Sequence, residues 1–268
     1  QFTASAGAFT MGRSDNQTFV ITNGGLFDGP DTLQIGGPGL TGSLSIDGVG
    51  SRVDIGGAIT INDLVAVNSG GVLSSTGTID VVDGGVLSGS DGTIQGSLLT
   101  IGGGGTLSTG NSPGVMSLAG DFLFDGGTWE IEIAGSNPGE WDMLNVDGNA
   151  DLLSGDVTLS LLDGFNPGGT SFDFISTTGT LTLDPAVSFT YSGVGPDFEV
   201  ATRSEGGLDF GTIIFTARDV GTILGLDVRQ NAVATYLDDV CPQVELSGAP
   251  TAASIDLDLR CGNLRSAG

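Results

Sequence analysis

Carboxylates are the main side chains of this sequence that could do chemistry. The chain has 32 acidic residues, seven arginines, and no lysine or histidine. These residue types cannot build a Ser/His/Asp triad, an imidazole metal site, a lysine Schiff base or a P-loop lysine. Catalysis or ligand binding would therefore have to use carboxylates, arginines, hydroxyls and backbone groups.

Glu130 and Glu132 lie two residues apart, so a strand would project both from one face. Such a pair could serve acid/base catalysis, as in glycosidases, or hold calcium. The alternative is a solvated face opposite inward Trp129, Ile131 and Ile133. We favour the solvated face because outward acidic residues are abundant throughout, and we assign no catalytic residue.

Four aspartates recur through a turn-rich segment and could converge on a cation: Asp142, Asp147, Asp151 and Asp156. Their spacing matches neither the EF-hand loop nor the Gly-Gly-x-Gly-x-Asp repeat of calcium-binding β-rolls. Turn chemistry is the better explanation because aspartate readily bonds its own backbone. We expect no cofactor, with calcium as a weak alternative.

Arginines are too sparse to support a polysaccharide-cleaving site. Such sites generally need a cation beside carboxylates, and Arg13 and Arg52 are the only cations before Arg203. We expect each to form an ion pair on an acidic surface. The sequence therefore predicts a protein that is not an enzyme.

A short motif recurs in the elements that must position these residues. Gly-Gly-Val-Leu occupies Gly70–Leu73 and Gly84–Leu87, and variants occupy Gly104–Leu107 and Gly126–Trp129. The motif spacings are 14, 20 and 22 residues, and short alternating segments typical of strands lie between the copies. This pattern predicts a coil that returns to the same place each turn, a β-solenoid.

In a solenoid, inward Val, Ile and Leu stack between rungs while outward Ser, Thr, Asp and Asn meet water. The 48 glycines supply sharp corners, since glycine adopts positive φ without a Cβ penalty. At roughly 20 to 25 residues per repeat, the chain predicts about eight to ten rungs.

Aromatic residues suggest the domain boundaries. Four phenylalanines mark residues 1–27 as an N-terminal capping segment: Phe2, Phe9, Phe19 and Phe27. Residues 28–226 are expected to form the solenoid, with small-residue rungs over 28–120 and wider rungs containing aromatics over 121–226. Residues 227–268 carry helical periodicity and are expected to form a short α-helical hairpin.

The predicted hairpin contains both cysteines of the chain. Cys241 follows the first helix, which Pro242 ends, and Cys261 lies near the end of the second. A disulfide between them would pin the hairpin. The alternative is two buried reduced thiols, because sequence spacing alone cannot establish the bond geometry.

An ordered series of segments resembles the passenger domains of bacterial type V autotransporters. The segments are Leu107–Gly114, Leu118–Phe122, Gly127–Ile133, Trp141–Gly148, Leu159–Phe165 and Phe172–Ile175. In that family they form the last rungs of a right-handed parallel β-helix. Residues 231–264 also resemble the two-cysteine helical segment between passenger and barrel, so the resemblance covers roughly residues 105 to 265.

The resemblance implies an extracellular or outer-surface location in a Gram-negative bacterium. The chain ends at Gly268, where a translocator barrel would begin, which predicts either removal of the barrel or a barrel-less relative. The net charge of −25 argues against binding to nucleic acid. No apolar run approaches the roughly 18 residues of a membrane span, so we expect no membrane insertion by this chain.

The sequence thus favours a secreted or cell-surface structural or adhesive protein. Self-association through the solenoid ends would produce head-to-tail filaments, because a head-to-tail interface that does not close into a ring propagates. One alternative is an adhesin that binds a surface glycan or a host ligand. A β-helix enzyme that degrades polysaccharides is a less favoured alternative.

Overall fold

The computed structural model describes residues 2–3, 7–12, 17–29, 31–110, 113–191 and 197–216. These residues form 22 strands and no helix. In the described part of the chain, no segment has the helical length and apolarity needed to cross a bilayer. The predicted helical hairpin over 227–268, with Cys241 and Cys261, lies outside the described residues, as does Arg13.

The first twenty strands fall into three columns, which form three faces. The first face contains β1 (Phe2–Thr3), β4 (Leu26–Gly29), β7 (Arg52–Ile55), β10 (Val72–Ser75), the start of β13 (Thr93–Ile101), the start of β15 (Val115–Ile133), β16 (Met143–Asp147) and β18 (Ser171–Thr177). The second face contains β2 (Ala8–Met11), β5 (Thr32–Ile35), β8 (Ile59–Ile61), β11 (Thr78–Val81), the end of β13, the middle of β15, the start of β17 (Ala150–Leu161) and β19 (Leu181–Leu183). The third face contains β3 (Gln17–Ile21), β6 (Gly42–Asp47), β9 (Leu64–Asn68), β12 (Val86–Ser88), β14 (Thr106–Ser108), the ends of β15 and β17, and β20 (Val187–Tyr191).

Each face holds eight strand segments in parallel register, so the described chain makes eight rungs. The all-β, solenoid-like prediction is confirmed. Its handedness and the boundaries at 27, 120 and 226 stay predictions. The rungs lengthen from the third onward: the paired residues Val53 and Leu73 are 20 positions apart, and Val146 and Thr177 are 31 apart. The first two rungs are 25 and 26 residues long, as the pairs Phe2–Phe27 and Phe27–Val53 show.

The core is a set of inward rows that run along the solenoid. One row consists of Leu44, Val65, Leu87, Leu107 and Trp129, each paired with the next and each fully buried. This row follows from alternation along each strand, because every second side chain points inward. The later rungs fill the same space with rings, such as Phe122 and Phe174, whose centroids lie 5.5 Å and 5.4 Å from Trp129.

The two ends of the solenoid differ. At the C-terminal end, β22 (Leu208–Phe215) pairs antiparallel with β18 and with β21 (Phe198–Glu205). The β21–β22 hairpin therefore covers the last strand of the first face. At the N-terminal end, β1, β2 and β3 form the first rung, and no described strand lies beyond them.

The Gly-Gly motif has a separate structural reason for each glycine. The first glycine occupies the left-handed region, with φ of 93° at Gly84 and 77° at Gly104. The second glycine lies against the preceding rung: a Cβ on Gly85 would lie 2.0 Å from the Ile61 carbonyl oxygen, and one on Gly105 would lie 2.1 Å from that of Val81. A side chain at the second position would therefore push two rungs apart.

One inference from the motif spacing is wrong. Gly70 precedes β10 on the first face, whereas Gly84 precedes β12 on the third face. The 14-residue spacing therefore crosses two faces and is not a whole turn. The spacings of 20 and 22 residues do return to the same face, because β12, β14 and the end of β15 pair in succession.

The motif predicts different costs for alanine at its two glycines. We expect Gly84→Ala to lower the free energy of unfolding by about 1–2 kcal/mol, the penalty for a left-handed L-residue, since nothing lies within 4 Å of its Cβ position. We expect Gly85→Ala to cost more, about 3 kcal/mol or above, because its Cβ would overlap the backbone of the preceding rung. Thermal and urea unfolding of the two variants measure this difference, and equal midpoints would contradict it.

Candidate functional site

Asp142 is the only buried carboxylate among the described residues. It lies between Trp141 and the first residue of β16, at the corner where the sixth rung passes into the seventh. Its side chain is buried, with an exposed fraction of 1%. Trp141 anchors this corner because its indole Nε1 donates a hydrogen bond of 2.9 Å to the Asp173 carbonyl oxygen, and its ring packs on Phe172.

Both carboxylate oxygens of Asp142 accept hydrogen bonds from backbone amides. The Gly114 N–H donates to Oδ1 at 2.7 Å, and the Glu132 N–H donates to Oδ2 at 2.9 Å. Gly114 immediately precedes β15, and Glu132 lies near its end. Asp142 therefore ties together the two ends of the sixth rung, and we call this group of three residues the Asp142 clip.

The space around the clip is tightly filled. A Cβ on Gly110 would lie 2.3 Å from the Asp142 Oδ1, so only glycine fits there without displacing the carboxylate. The preceding residue, Thr109, is fully buried, and its Oγ1 makes no hydrogen bond within the described structure. The clip is thus a closed polar cluster inside the corner.

Burial raises the pKa of Asp142 to about 6, because a charged carboxylate loses its hydration there. The two backbone hydrogen bonds oppose this rise, while the nearby charges of Glu132 and Glu130 add to it. Asp142 can therefore change protonation near neutral pH. Because Asp142 is buried, it does not contact a substrate. A change in its protonation therefore affects the stability of the corner.

A second polar feature is a groove on the third face, where the chain turns toward the first face. Its volume is about 540 Å³, and it extends over four rungs. The groove is lined by Val20, Thr22, Ser45, Asp47, Asn68, Ser69, Ser90 and Asp91. Asp47 pairs in register with Asn68, whose Oδ1 accepts a hydrogen bond from the Ser90 N–H at 3.1 Å. Hydroxyl, amide and carboxylate groups therefore follow one another along the axis.

The carboxylates singled out in the sequence do not form a common site. Glu130 and Glu132 do share the outer side of β15, opposite the buried Trp129, Ile131 and Ile133. This arrangement is the expected solvated face, although Glu132 is half-buried.

The four aspartates of the turn-rich segment also serve separate contacts. Asp142 belongs to the clip, and Asp147 accepts a hydrogen bond from the Thr178 hydroxyl at 2.9 Å. Asp151 is half-buried near the start of β17, and Asp156 is exposed. Within the described ranges, no group of three or more carboxylate or cysteine side chains could hold a metal ion.

The two described arginines that the sequence singled out are both paired. Arg52 forms an ion pair with Asp54 and donates to the Gln95 Oε1 at 3.0 Å. Arg203 donates to Asp173 at 2.6 Å, also pairs with Glu205, and stacks over the ring of Phe210. The Arg52 pair is the ion pair expected for this residue on an acidic surface.

Sequence reasoning missed the clip and the groove. In the sequence, Asp142 resembles the three exposed or half-buried aspartates that follow it. The one feature that could have indicated its burial is its position directly after Trp141, which follows a turn. The groove residues are spaced by the rung length, which becomes readable only once the pairing register is known.

Comparison with known proteins finds no matching family model and no matching curated protein. By its fold and its charge, this protein is an acidic, all-β protein with the parallel strands of a β-solenoid.

The clip predicts a pH dependence of stability. Because the pKa of Asp142 is higher in the fold than its ordinary value of 3.8, the folded state binds more protons between about pH 4 and 6. The contribution of Asp142 to stability is therefore greatest below pH 4 and is lost as the pH rises through 6, by on the order of 3 kcal/mol.

We expect Asp142→Asn to remove this part of the pH dependence. The matched control is Asp156→Asn, which also removes one carboxylate but at an exposed position. Unfolding midpoints of both variants and the parent chain, measured from pH 3.5 to 7.5, check the prediction. Parallel pH profiles for all three proteins would contradict it.

Proposed function

We propose that this chain is a secreted or cell-surface structural and adhesive protein, similar in kind to autotransporter passengers, and not an enzyme. In this proposal the solenoid is right-handed and ends in a helical hairpin that a Cys241–Cys261 disulfide closes. The protein acts outside the cell or on the outer surface of a Gram-negative bacterium.

The unbroken stack of eight parallel rungs is the observation that carries the proposal. Neighbouring strands lie about 4.8 Å apart, so eight rungs extend over roughly 35 Å. A solenoid of this kind presents long faces for contact and holds them at a fixed spacing. Many outward positions on these faces carry hydroxyl or acidic side chains, over a core that is aliphatic in the early rungs and aromatic in the later ones.

The charge distribution supports the part of the proposal that excludes nucleic acid and anionic membranes as partners. Arg52 and Arg203 are both neutralised by carboxylates, and the chain carries a net charge of −25. A chain with this excess of negative charge is expected to repel nucleic acid and anionic lipid, and the two described arginines form no basic patch that could neutralise phosphates.

Self-association through the solenoid ends belongs to this proposal. Head-to-tail stacking into a filament would require the C-terminal end to accept the first rung of another copy. On the first face, β22 already occupies the position next to β18. On this face, the first rung of another copy would therefore meet the β21–β22 hairpin and not β18.

The surface role predicts where the protein is found. We expect antibodies to label it on intact producing cells or to detect it in the medium, and we expect added protease to remove it from intact cells. Permeabilised cells and a cytoplasmic marker protein provide the controls. Label that appears only after permeabilisation would contradict the proposal.

A second candidate function, glycan binding, is favoured by the polar groove. Its hydroxyls, amide and carboxylates are groups that hydrogen-bond sugar hydroxyls, and its length over four rungs suits an oligosaccharide.

Glycan binding predicts selective loss of affinity when the groove loses its acids. On a glycan array, we expect Asp47→Ala with Asp91→Ala to weaken binding at least tenfold. The control is Asp80→Ala with Asp151→Ala, which removes two carboxylates from the second face. Blank arrays for the parent chain, or equal losses in both double variants, would reject glycan binding at the groove.

A further inference from the structure

Two carboxylates of the polar groove have no role in holding the corners of the solenoid. Asp47 and Asp91 both line the groove, and within the described part of the chain neither side chain forms a hydrogen bond or an ion pair. Other corner aspartates do: Asp63 and Asp184 accept hydrogen bonds of 2.9 Å and 2.8 Å from backbone amides. Turn chemistry therefore explains Asp63 and Asp184 but leaves the two groove carboxylates free to bind a ligand.

The charge of the groove is uncompensated among its lining residues. The lining contains hydroxyl, amide, carboxylate and apolar groups and no arginine. The two described arginines pair elsewhere, Arg52 with Asp54 and Arg203 with Asp173. A cleft lined by one sign of charge concentrates its field and attracts ligands of the opposite sign. The groove therefore favours a cationic ligand over a neutral or an anionic one.

The two carboxylates are separated along the solenoid axis. Asp47 pairs in register with Asn68 on the next rung. The Gly70 N–H, on the same rung as Asn68, donates a hydrogen bond of 2.7 Å to the Asp91 carbonyl oxygen on the rung after that. Asp91 therefore lies two rungs beyond Asp47, roughly 10 Å at the usual strand spacing. This separation is comparable with two rings of a β-1,4-linked sugar chain, in which every second ring presents the same edge.

The other lining groups suit a sugar better than a simple amine. The Asn68 Oδ1 accepts a hydrogen bond from the Ser90 N–H, which leaves the Nδ2 of the same amide to donate to a ligand. The hydroxyls of Ser45 and Ser69 also line the groove, and Val20, which is 57% exposed, offers an apolar contact for a sugar ring. A lysine side chain would use the carboxylates and leave these groups without a partner.

We propose that the groove binds oligosaccharides of amino sugars, with unacetylated amines on alternate rings placed at Asp47 and Asp91. Each protonated amine donates charge-assisted hydrogen bonds to a carboxylate, while ring hydroxyls pair with Asn68 and the serine hydroxyls. An N-acetylated sugar lacks this charge, and a uronic acid would bring a third carboxylate against the other two. The inference rests on the glycan binding proposed for this groove and names the class of glycan.

Isothermal titration calorimetry of the full-length chain tests the charge selectivity. The probes are a β-1,4-linked glucosamine hexasaccharide, its N-acetylated form and a hexagalacturonate, in one mildly acidic buffer that keeps the sugar amines protonated. We expect the amino form to bind at least tenfold more tightly than the acetylated form, and the acid form not to bind. Because salt screens exposed charges, about tenfold higher ionic strength is expected to weaken binding of the amino form alone.

Asparagine replacements separate the effect of charge from that of shape. Asp47→Asn with Asp91→Asn keeps the size of both side chains and removes their charge, so we expect the amino and acetylated forms to bind this variant within about twofold of each other. The matched control, Asp80→Asn with Asp151→Asn, removes two carboxylates from the second face and is expected to keep the preference of the parent chain. Circular dichroism spectra and melting midpoints check that both variants fold. If the groove variant unfolds, each single replacement provides the second test, with an expected loss of preference of at least threefold.

Three results would overturn the inference. The first is equal affinity of the parent chain for the amino and acetylated forms. The second is an equal loss of preference in the control variant, which would indicate attraction to the whole acidic surface. The third is binding of pentalysine as tight as that of the amino form, which would indicate a basic peptide as the ligand.

Failure of the proposed function gives a different result. Equal binding of the amino and acetylated forms that Asp47→Ala with Asp91→Ala abolishes would leave glycan binding at the groove in place and reject only the amino-sugar class. A parent chain that binds none of the three hexasaccharides and no glycan on the array would reject glycan binding itself, and the inference with it.

Discussion

The rest of the structure depends on the stacking of each rung on the one before it. Parallel hydrogen bonds join the backbones, and inward rows such as Leu44, Val65 and Leu87 join the side chains. Because each rung contacts mainly its two neighbours, stability is built from repeated local interfaces. Any residue that holds two rungs closer or farther apart than the strand spacing disturbs this stacking directly.

That constraint explains the glycines and the Asp142 clip. The second glycine of each Gly-Gly motif lets the chain pass close to a carbonyl of the preceding rung, as Gly85 does at Ile61. The clip acts at a longer rung, where Asp142 joins the two ends of β15 through hydrogen bonds. This buried carboxylate accepts two backbone hydrogen bonds, and it keeps a raised pKa because it has left water.

Stacking also creates two ends, and the chain treats them differently. The β21–β22 hairpin reverses the strand direction over the last rung and presents charged side chains outward. At the other end, Phe19 and Val20 of β3 are exposed. Among the described residues, the two ends of the solenoid therefore differ in strand direction and in the side chains that they expose.

The sequence by itself determined the fold class, because alternation fixes which side chains face inward and paired glycines mark corners, as at Gly84 and Gly104. It also determined the outer position of Glu130 relative to Trp129, since period-two geometry is local. Only the tertiary structure decided the register of the faces, and so the position of Gly70 on a different face from Gly84. The same register buried Asp142 while leaving Asp156 exposed, and it assembled the groove from residues about one rung apart. These features depend on rung lengths, which vary from corner to corner and are set by packing between distant segments.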